Sequence, residues 1–260
     1  MRKTAQTGLA VILALGLGLP CFAQSETLPL PFPIDRASRE ISVVVDKGLK
    51  STNRLPTRAL REARLALLDK QPVEADMLKA LADRGETLAA LRYVDVLMAR
   101  GIEENASDVA YYGAIAVGGG RVWALPEMVE ALQYLDPATE PKARINKYIQ
   151  VLYAHAWAGN ELALDAVIDY NGEGRLFGPL SAATKAKIDE QINTLGGGRS
   201  DLKMAISILR KDTLTNQDLA DARSYLDRAQ QAENLAVATT AANLIEQLAA
   251  GKYTSAAATN

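Results

Sequence analysis

Two stretches of the chain place glycine and arginine as an anion site would: "AVGGGRVWALPEMV", residues 116–129, and "GGGRS", residues 196–200. Successive glycine N–H groups can surround a phosphate while Arg121 or Arg199 supplies positive charge. A P-loop requires G-x-x-x-x-G-K-[ST], and no lysine followed by Ser or Thr closes the cluster at Gly118–Gly120. A dinucleotide site requires G-x-G-x-x-G between a strand and a helix, whereas Trp123 follows this cluster and no strand precedes it. The economical reading is a helix end that needs positive φ, followed by a chain reversal. If both GGGR turns fall on successive repeats, Arg121 and Arg199 align along one edge and suit an acidic ligand.

Other catalytic groups are sparse. His155 is the only histidine, so a zinc site has no second nitrogen ligand, and it reads as a packed residue within "LYAHAWAG". The single cysteine is Cys21. No G-x-S-x-G elbow marks a serine nucleophile. Glu103–Glu104 and Asp189–Glu190 are adjacent acidic pairs, but adjacency on a helix suits a solvated helix end better than two acids facing a cleft. The sequence therefore points to no catalytic residue, no metal and no cofactor.

Aromatic side chains offer the better signal, because Tyr and Trp join a large contact area to a polar tip. Nine of the chain's 14 aromatics (2 Trp, 9 Tyr, 3 Phe) lie between Tyr111 and Phe177. "DYNGEGRLFGP", 169–179, is the longest irregular stretch in the middle of the chain. The residues expected to touch a protein partner are Arg121, Trp123, Tyr153, Trp157, Arg175 and Phe177, with the 169–179 loop first among them.

The elements that must position these residues are helical. Apolar side chains recur every three or four positions near 56–69, 72–83, 87–100, 107–117, 124–135, 143–157, 161–170, 181–194, 201–210, 216–230 and 234–250. "ISVVVDKGL" is β-branched, but no second strand offers itself, and it is read as a helix from 36 to 48. Pro56 and Pro72 suit first helical positions. Thr215 with Asp218 makes a capping-box pattern. Short connections would pair about twelve helices into about six antiparallel hairpins.

The ends are of a different kind. Residues 1–23 carry Arg2 and Lys3, an apolar run from Gly8 to Leu19 and a small residue at Ala23, which reads as a cleavable secretion signal. Pro20 argues against lipoprotein processing at Cys21. The mature chain then has no integral membrane span and is periplasmic or secreted. Pro29, Pro31 and Pro33 make 24–34 an extended linker, and 251–260 reads as a disordered tail. Between them, 35–250 forms one helical repeat domain. The whole chain has 29 basic and 31 acidic residues, a net charge of -2. Loss of Arg2 and Lys3 takes this to 27 against 31, or -4, which gives no reason to expect nucleic acid.

"RGETLAAL" (84–91), "GGRVWALP" (119–126) and "AGNELALD" (158–165) repeat one pattern: glycine, two polar or small residues, then an apolar residue beside alanine. Gly85, Gly120 and Gly159 are 35 and 39 residues apart, and Gly198 follows 39 later. Such periods mark stacked helix pairs. With the "A-D-R-G" turn entry and the small residues Ala82, Ala89, Ala116 and Ala124, this resembles the Sel1-like branch of tetratricopeptide repeats over residues 74–210. "MARGIEENASDVAYYGAIA", with Gly101, Tyr111 and Tyr112, matches the second glycine loop of that family, and the later repeats depart from it. The resemblance implies an all-α, right-handed solenoid that scaffolds a protein partner in the cell envelope, in complex assembly or in periplasmic regulation of exopolysaccharide, and carries over no catalytic residue. The contrasting expectation is an envelope hydrolase or a small-ligand-binding protein.

Overall fold

The computed structural model describes residues 41–254, all within the unit Ile34–Asn260. The signal-like segment 1–23, the linker 24–34 and residues 255–260 of the tail lie outside the described residues. Among the described residues there are eleven α-helices and no strand: α1 (Arg58–Leu68), α2 (Ala75–Ala82), α3 (Thr87–Ala99), α4 (Ala106–Gly118), α5 (Leu125–Leu132), α6 (Lys142–Trp157), α7 (Glu161–Tyr170), α8 (Ala182–Leu195), α9 (Arg199–Leu209), α10 (Asn216–Ala229) and α11 (Leu235–Ala249). Helices pack chiefly on the next in sequence, as in α2 on α3 and α9 on α10. Several also pack on the next but one, as in α4 on α6, α5 on α7 and α7 on α9.

Local chemistry sets the helix starts. Thr57 Oγ1 accepts the Leu60 N–H at 3.2 Å and Asn160 Oδ1 accepts the Ala163 N–H at 3.0 Å, each satisfying a donor that the first turn leaves open. Thr215 and Asp218 form the expected capping box at the start of α10. Pro56 and Pro72 both lie ahead of their helices, which begin at Arg58 and Ala75 behind the caps Thr57 and Glu74.

The helix stops explain the repeated glycines. At the end of α2 the Glu86 N–H reaches back to the Leu81 carbonyl at 3.1 Å, at the end of α4 Arg121 reaches Ala116 at 2.9 Å, and at the end of α6 Asn160 reaches His155 at 3.0 Å. In each case the glycine just before the donor has φ near +90°: Gly85 at 81°, Gly120 at 90° and Gly159 at 92°. This left-handed closure satisfies carbonyls that would otherwise end the helix unpaired. It also decides the nature of the first glycine cluster. The N–H groups of Gly119, Gly120 and Arg121 all bond back into α4, so a turn, and not a phosphate cradle, is what the cluster builds.

"ISVVVDKGL" is not a helix where it is described. Residues 41–50 form no helix: they bend at Val45, turn through a left-handed Gly48 (φ 54°), and make one isolated antiparallel bridge between Val44 and Gly119. The β-branched residues do favour extended backbone, and the partner is the glycine turns themselves in place of a second strand. Leu49 N–H bonds to the Gly85 carbonyl at 2.9 Å, and Val45 and Asp46 N–H both bond to the Gly118 carbonyl at 2.8 and 2.9 Å. Ser42 Oγ donates to the Gly120 carbonyl at 3.0 Å, and Asn160 Nδ2 donates to the Ile41 carbonyl at 3.4 Å. This strap thus crosses the turns after α2, α4 and α6 in reverse chain order. Bare backbone is required for the strap's approach, since a Cβ on Gly48 would lie 2.3 Å from the Gly85 carbonyl oxygen; between turns, a Cβ on Gly119 would lie 2.0 Å from Thr87 Cγ2 at the start of α3.

His155 belongs to the same junction. Its ring is fully buried, Nδ1 lies 2.9 Å from the Val151 carbonyl, and Nε2 accepts the Val43 N–H at 3.2 Å. One neutral tautomer serves both bonds: Nδ1–H donates and Nε2 accepts. Burial holds the pKa below its ordinary value, against a smaller opposing effect from the Val151 carbonyl.

Two outcomes are expected from this arrangement. Gly48 has φ of 54° and Gly174 has φ of 69°, but only Gly48 has a backbone neighbour in the way of a Cβ. Gly48→Ala should lower the unfolding free energy by about 2–4 kcal/mol, through overpacking plus left-handed strain, and Gly174→Ala by only about 1 kcal/mol. Equal losses on urea denaturation would show that the contact with Gly85 is not what holds the strap. For His155, a folded-state pKa below 6.5 means the unfolded chain binds the proton first as pH falls. The stabilisation is therefore complete above pH 6.5 and is lost as pH falls from there toward the folded value, with a slope of at most about 1.4 kcal/mol per pH unit. The lone histidine's proton NMR resonance should titrate with a midpoint below 6.5, and a midpoint at or above that value would contradict the buried, neutral assignment.

Candidate functional site

The 169–179 segment connects α7 to α8 and is folded tightly upon itself. Gly172 N–H bonds to the Gly178 carbonyl at 2.8 Å, and Phe177 N–H bonds to the Tyr170 carbonyl at 2.9 Å. Asn171, which is buried, donates from Nδ2 to the Val167 carbonyl at 2.7 Å and accepts from the Tyr153 hydroxyl at 2.9 Å. Arg175 folds inward: its Nη1 donates to the Asp169 carbonyl at 2.5 Å, and its stem lies where a Cβ on Gly172 would be, 3.0 Å away. Burial lowers the Arg175 pKa. Arg175, expected as a partner contact, is half-buried and acts as a strut beneath the loop.

The loop delivers Phe177 onto two helices. Its ring lies 6.5 Å from Tyr153 on α6 and 5.7 Å from Tyr170 on α7, and Tyr153 lies 5.3 Å from Trp157, all tilted or edge-to-face. Tyr153 and Trp157 meet because they are four residues apart on one helix. Each of the four rings is half-buried, so the cluster keeps a rim in solvent. The Tyr170 hydroxyl donates to the Val129 carbonyl at 3.1 Å, which ties the cluster to α5, and burial raises its pKa. Tyr153, Trp157 and Phe177 are thus brought together as a group. Tyr170 and Asn171 complete it. The aromatic run drew attention to Tyr170, but nothing in the sequence distinguished Asn171 as the loop's anchor.

Arg121 and Trp123 sit elsewhere, on the turn between α4 and α5, both exposed, with Trp123 at 59 %. They do not form a pair of guanidinium stations with the second GGGR turn. Arg199 Nη2 lies 2.9 Å from Asp165 Oδ2, and Lys203 Nζ lies 3.7 Å from the same oxygen. Asp165 is 2 % exposed, and burial raises its pKa against the pull of these two cations. Thus Arg199 neutralises a buried aspartate on α7 and is not presented to an acidic ligand.

The acidic pairs make no catalytic arrangement. Glu103 and Glu104 are exposed, and Glu190 is held by Lys187 at 2.6 Å. Asp189 accepts the Tyr225 hydroxyl and lies 3.3 Å from Lys185. Among the described residues no three His, Cys, Asp or Glu side chains are gathered as a metal would need, and no helix is long and apolar enough to cross a membrane. An open concavity of about 720 Å³ lies at the second glycine cluster, beside Gly196–Gly198, Asp201, Arg228 and the turn at Gln231–Asn234.

Compared with known proteins, the chain matches no family model, no curated sequence and no solved structure.

Proposed function

We propose that this chain is a non-catalytic scaffold that holds a protein partner in the cell envelope, in complex assembly or in periplasmic regulation, and that its helices stack as a right-handed solenoid of Sel1-like pairs. The stacking is supported by packing dominated by next and next-but-one helices and by the shared closure at Gly85, Gly120 and Gly159. Such an arrangement gives each pair an apolar side that only its neighbour covers.

The observation that carries the binding reading is the cluster of Tyr153, Trp157 and Phe177. Its rings are fixed against one another and against Tyr170, yet remain part-exposed. Aromatic anchors already held in place lose little side-chain freedom when a partner covers them, which is the property of an interface hot spot. The tightly bonded 171–178 loop supplies the rigidity.

The test compares the intact protein with Trp157→Ala/Phe177→Ala as bait in cross-linked envelope extracts. Losing two anchors should reduce recovery of at least one partner by about tenfold or more, corresponding to roughly 1.4 kcal/mol or more. Circular dichroism and thermal melting check that the variant remains folded. Equal recovery of every partner by both folded proteins would remove this face as the binding site.

A further inference from the structure

The strap's bond to His155 differs in kind from its bonds to the glycine turns. Those at Gly85, Gly118 and Gly120 end on backbone carbonyls, which accept at any ordinary pH. The Val43 N–H instead donates to His155 Nε2 at 3.2 Å, and the ring accepts there only while it is neutral, because Nδ1 holds the one ring proton against the Val151 carbonyl at 2.9 Å. A second proton has to enter at Nε2. It would set N–H against N–H at a fully buried ring and leave the Val43 donor without an acceptor.

The two halves of the strap are held unequally. Residues 45–49 place the Val45, Asp46 and Leu49 N–H groups on turn carbonyls at 2.8–2.9 Å, and Arg64 Nη2 donates to the Leu49 carbonyl at 3.3 Å. Residues 41–44 rest on the bridge at Val44, the His155 bond, the exposed Ser42 hydroxyl and the long 3.4 Å contact from Asn160. None of these four residues is buried, so lifting them uncovers little apolar surface and brings water to Nε2.

We propose that His155 is an acid-released latch: a solvent proton taken up at Nε2 lifts residues 41–44 away from the ring and from Gly120, while residues 45–49 stay bonded to the turns after α4 and α2. A ring exposed to water regains its ordinary pKa of 6.5, whereas the covered ring lies below it. Between those values the open form binds the proton that the closed form resists, so the ratio of open to closed rises by up to about tenfold for each pH unit of acidification. Above pH 6.5 the latch is indifferent to pH. The charged groups on the elements packed against α6 are engaged with one another: Asp46 of the strap lies 3.7 Å from Lys147, Asp108 of α4 lies 2.9 Å from Arg144, Asp165 and Asp169 of α7 take Lys203, and Lys185 and Lys187 of α8 take Asp189 and Glu190. Glu161 stands at the start of α7. None of them governs the ring, on which burial and the Val151 carbonyl act. The latch goes beyond the partner-binding reading and makes no use of the aromatic cluster.

Backbone NMR relaxation on the full chain, followed as pH is lowered from above 6.5 through the titration of the His155 ring, tests the latch. With the ring protonated, the amides of Ser42, Val43 and Val44 should fall from order parameters of about 0.85 to below about 0.6, while Asp46, Leu49 and the α6 residue Leu152 keep their rigid values. His155→Gln is the control, because a glutamine side-chain oxygen can accept the Val43 N–H and does not titrate; its residues 42–44 should stay ordered over the same range. Order at 42–44 that persists through the ring's titration would overturn the proposal. So would loss of order at Leu49 and Leu152 in the same step, which would be unfolding of the whole molecule, and these two outcomes are read from the wild-type protein even if the variant does not fold. An equal release in folded His155→Gln would also overturn it, by assigning the switch to another group such as Asp46.

Discussion

The carbonyl groups at the ends of α2 and α4 impose the condition on which the N-terminal part of the molecule depends. A helix leaves its last carbonyls without an intrahelical donor, and a buried one costs about 1–3 kcal/mol if it stays unpaired. Two sets of donors divide the work. The Schellman-type closure supplies turn N–H groups to the carbonyls of Leu81, Ala82, Ile115, Ala116 and Val117, and the strap supplies Leu49 to Gly85 and both Val45 and Asp46 to Gly118. Each added bond contributes only about 0.5–1.5 kcal/mol net. Their arrangement matters more than their sum, because one extended segment ties three turns that lie far apart in sequence.

That tie is possible only where side chains are missing. Gly119 presses on Thr87 and Gly48 on Gly85, so the turns contact one another as well as the strap. His155 adds a buried side-chain acceptor for the Val43 N–H, and its burial is tolerable because both ring nitrogens are bonded in the neutral form. Successive helix pairs are also joined by part-buried polar contacts. Arg64 bridges Glu86 and Thr52; Arg144 bridges Ser107 and Asp108 beneath Tyr111; Arg228 bridges Asp201 while stacking on Tyr225. Such pairs add little stability relative to apolar packing, but an offset between neighbours would strand a charge.

Helix positions were legible because they depend on residues close in sequence. The end of α6 at Trp157 and the whole of α7 from Glu161 to Tyr170 follow from the apolar spacing and the glycine between them. Thr215 and Asp218 announced the start of α10 for the same reason. The strap was misread because its pairing partner is a set of turn carbonyls more than thirty residues away, and strand logic looks for another strand. Arg199 was likewise misplaced: its ion partner Asp165 is on another helix, and adjacency to glycine suggested exposure. Among the aromatic candidates, Tyr153 and Trp157 share a helical face by spacing alone. Phe177 joins them only through the loop closed by Asn171 and Arg175, which no local pattern reveals.

The proposed binding reading connects rigidity and recognition through that loop. A connector of this length rich in glycine would ordinarily sample many conformations, and a partner would have to order it at a cost of about 1–2 kcal/mol per residue. Three internal restraints remove much of that cost in advance: the Gly172–Gly178 bond, the Arg175 strut to Asp169 and the Asn171 bonds to α6 and α7. The inward turn of Arg175 sacrifices a charged surface contact and gains a fixed position for Phe177. Under the proposed binding reading, a face assembled this way would favour recognition through aromatic shape over charge.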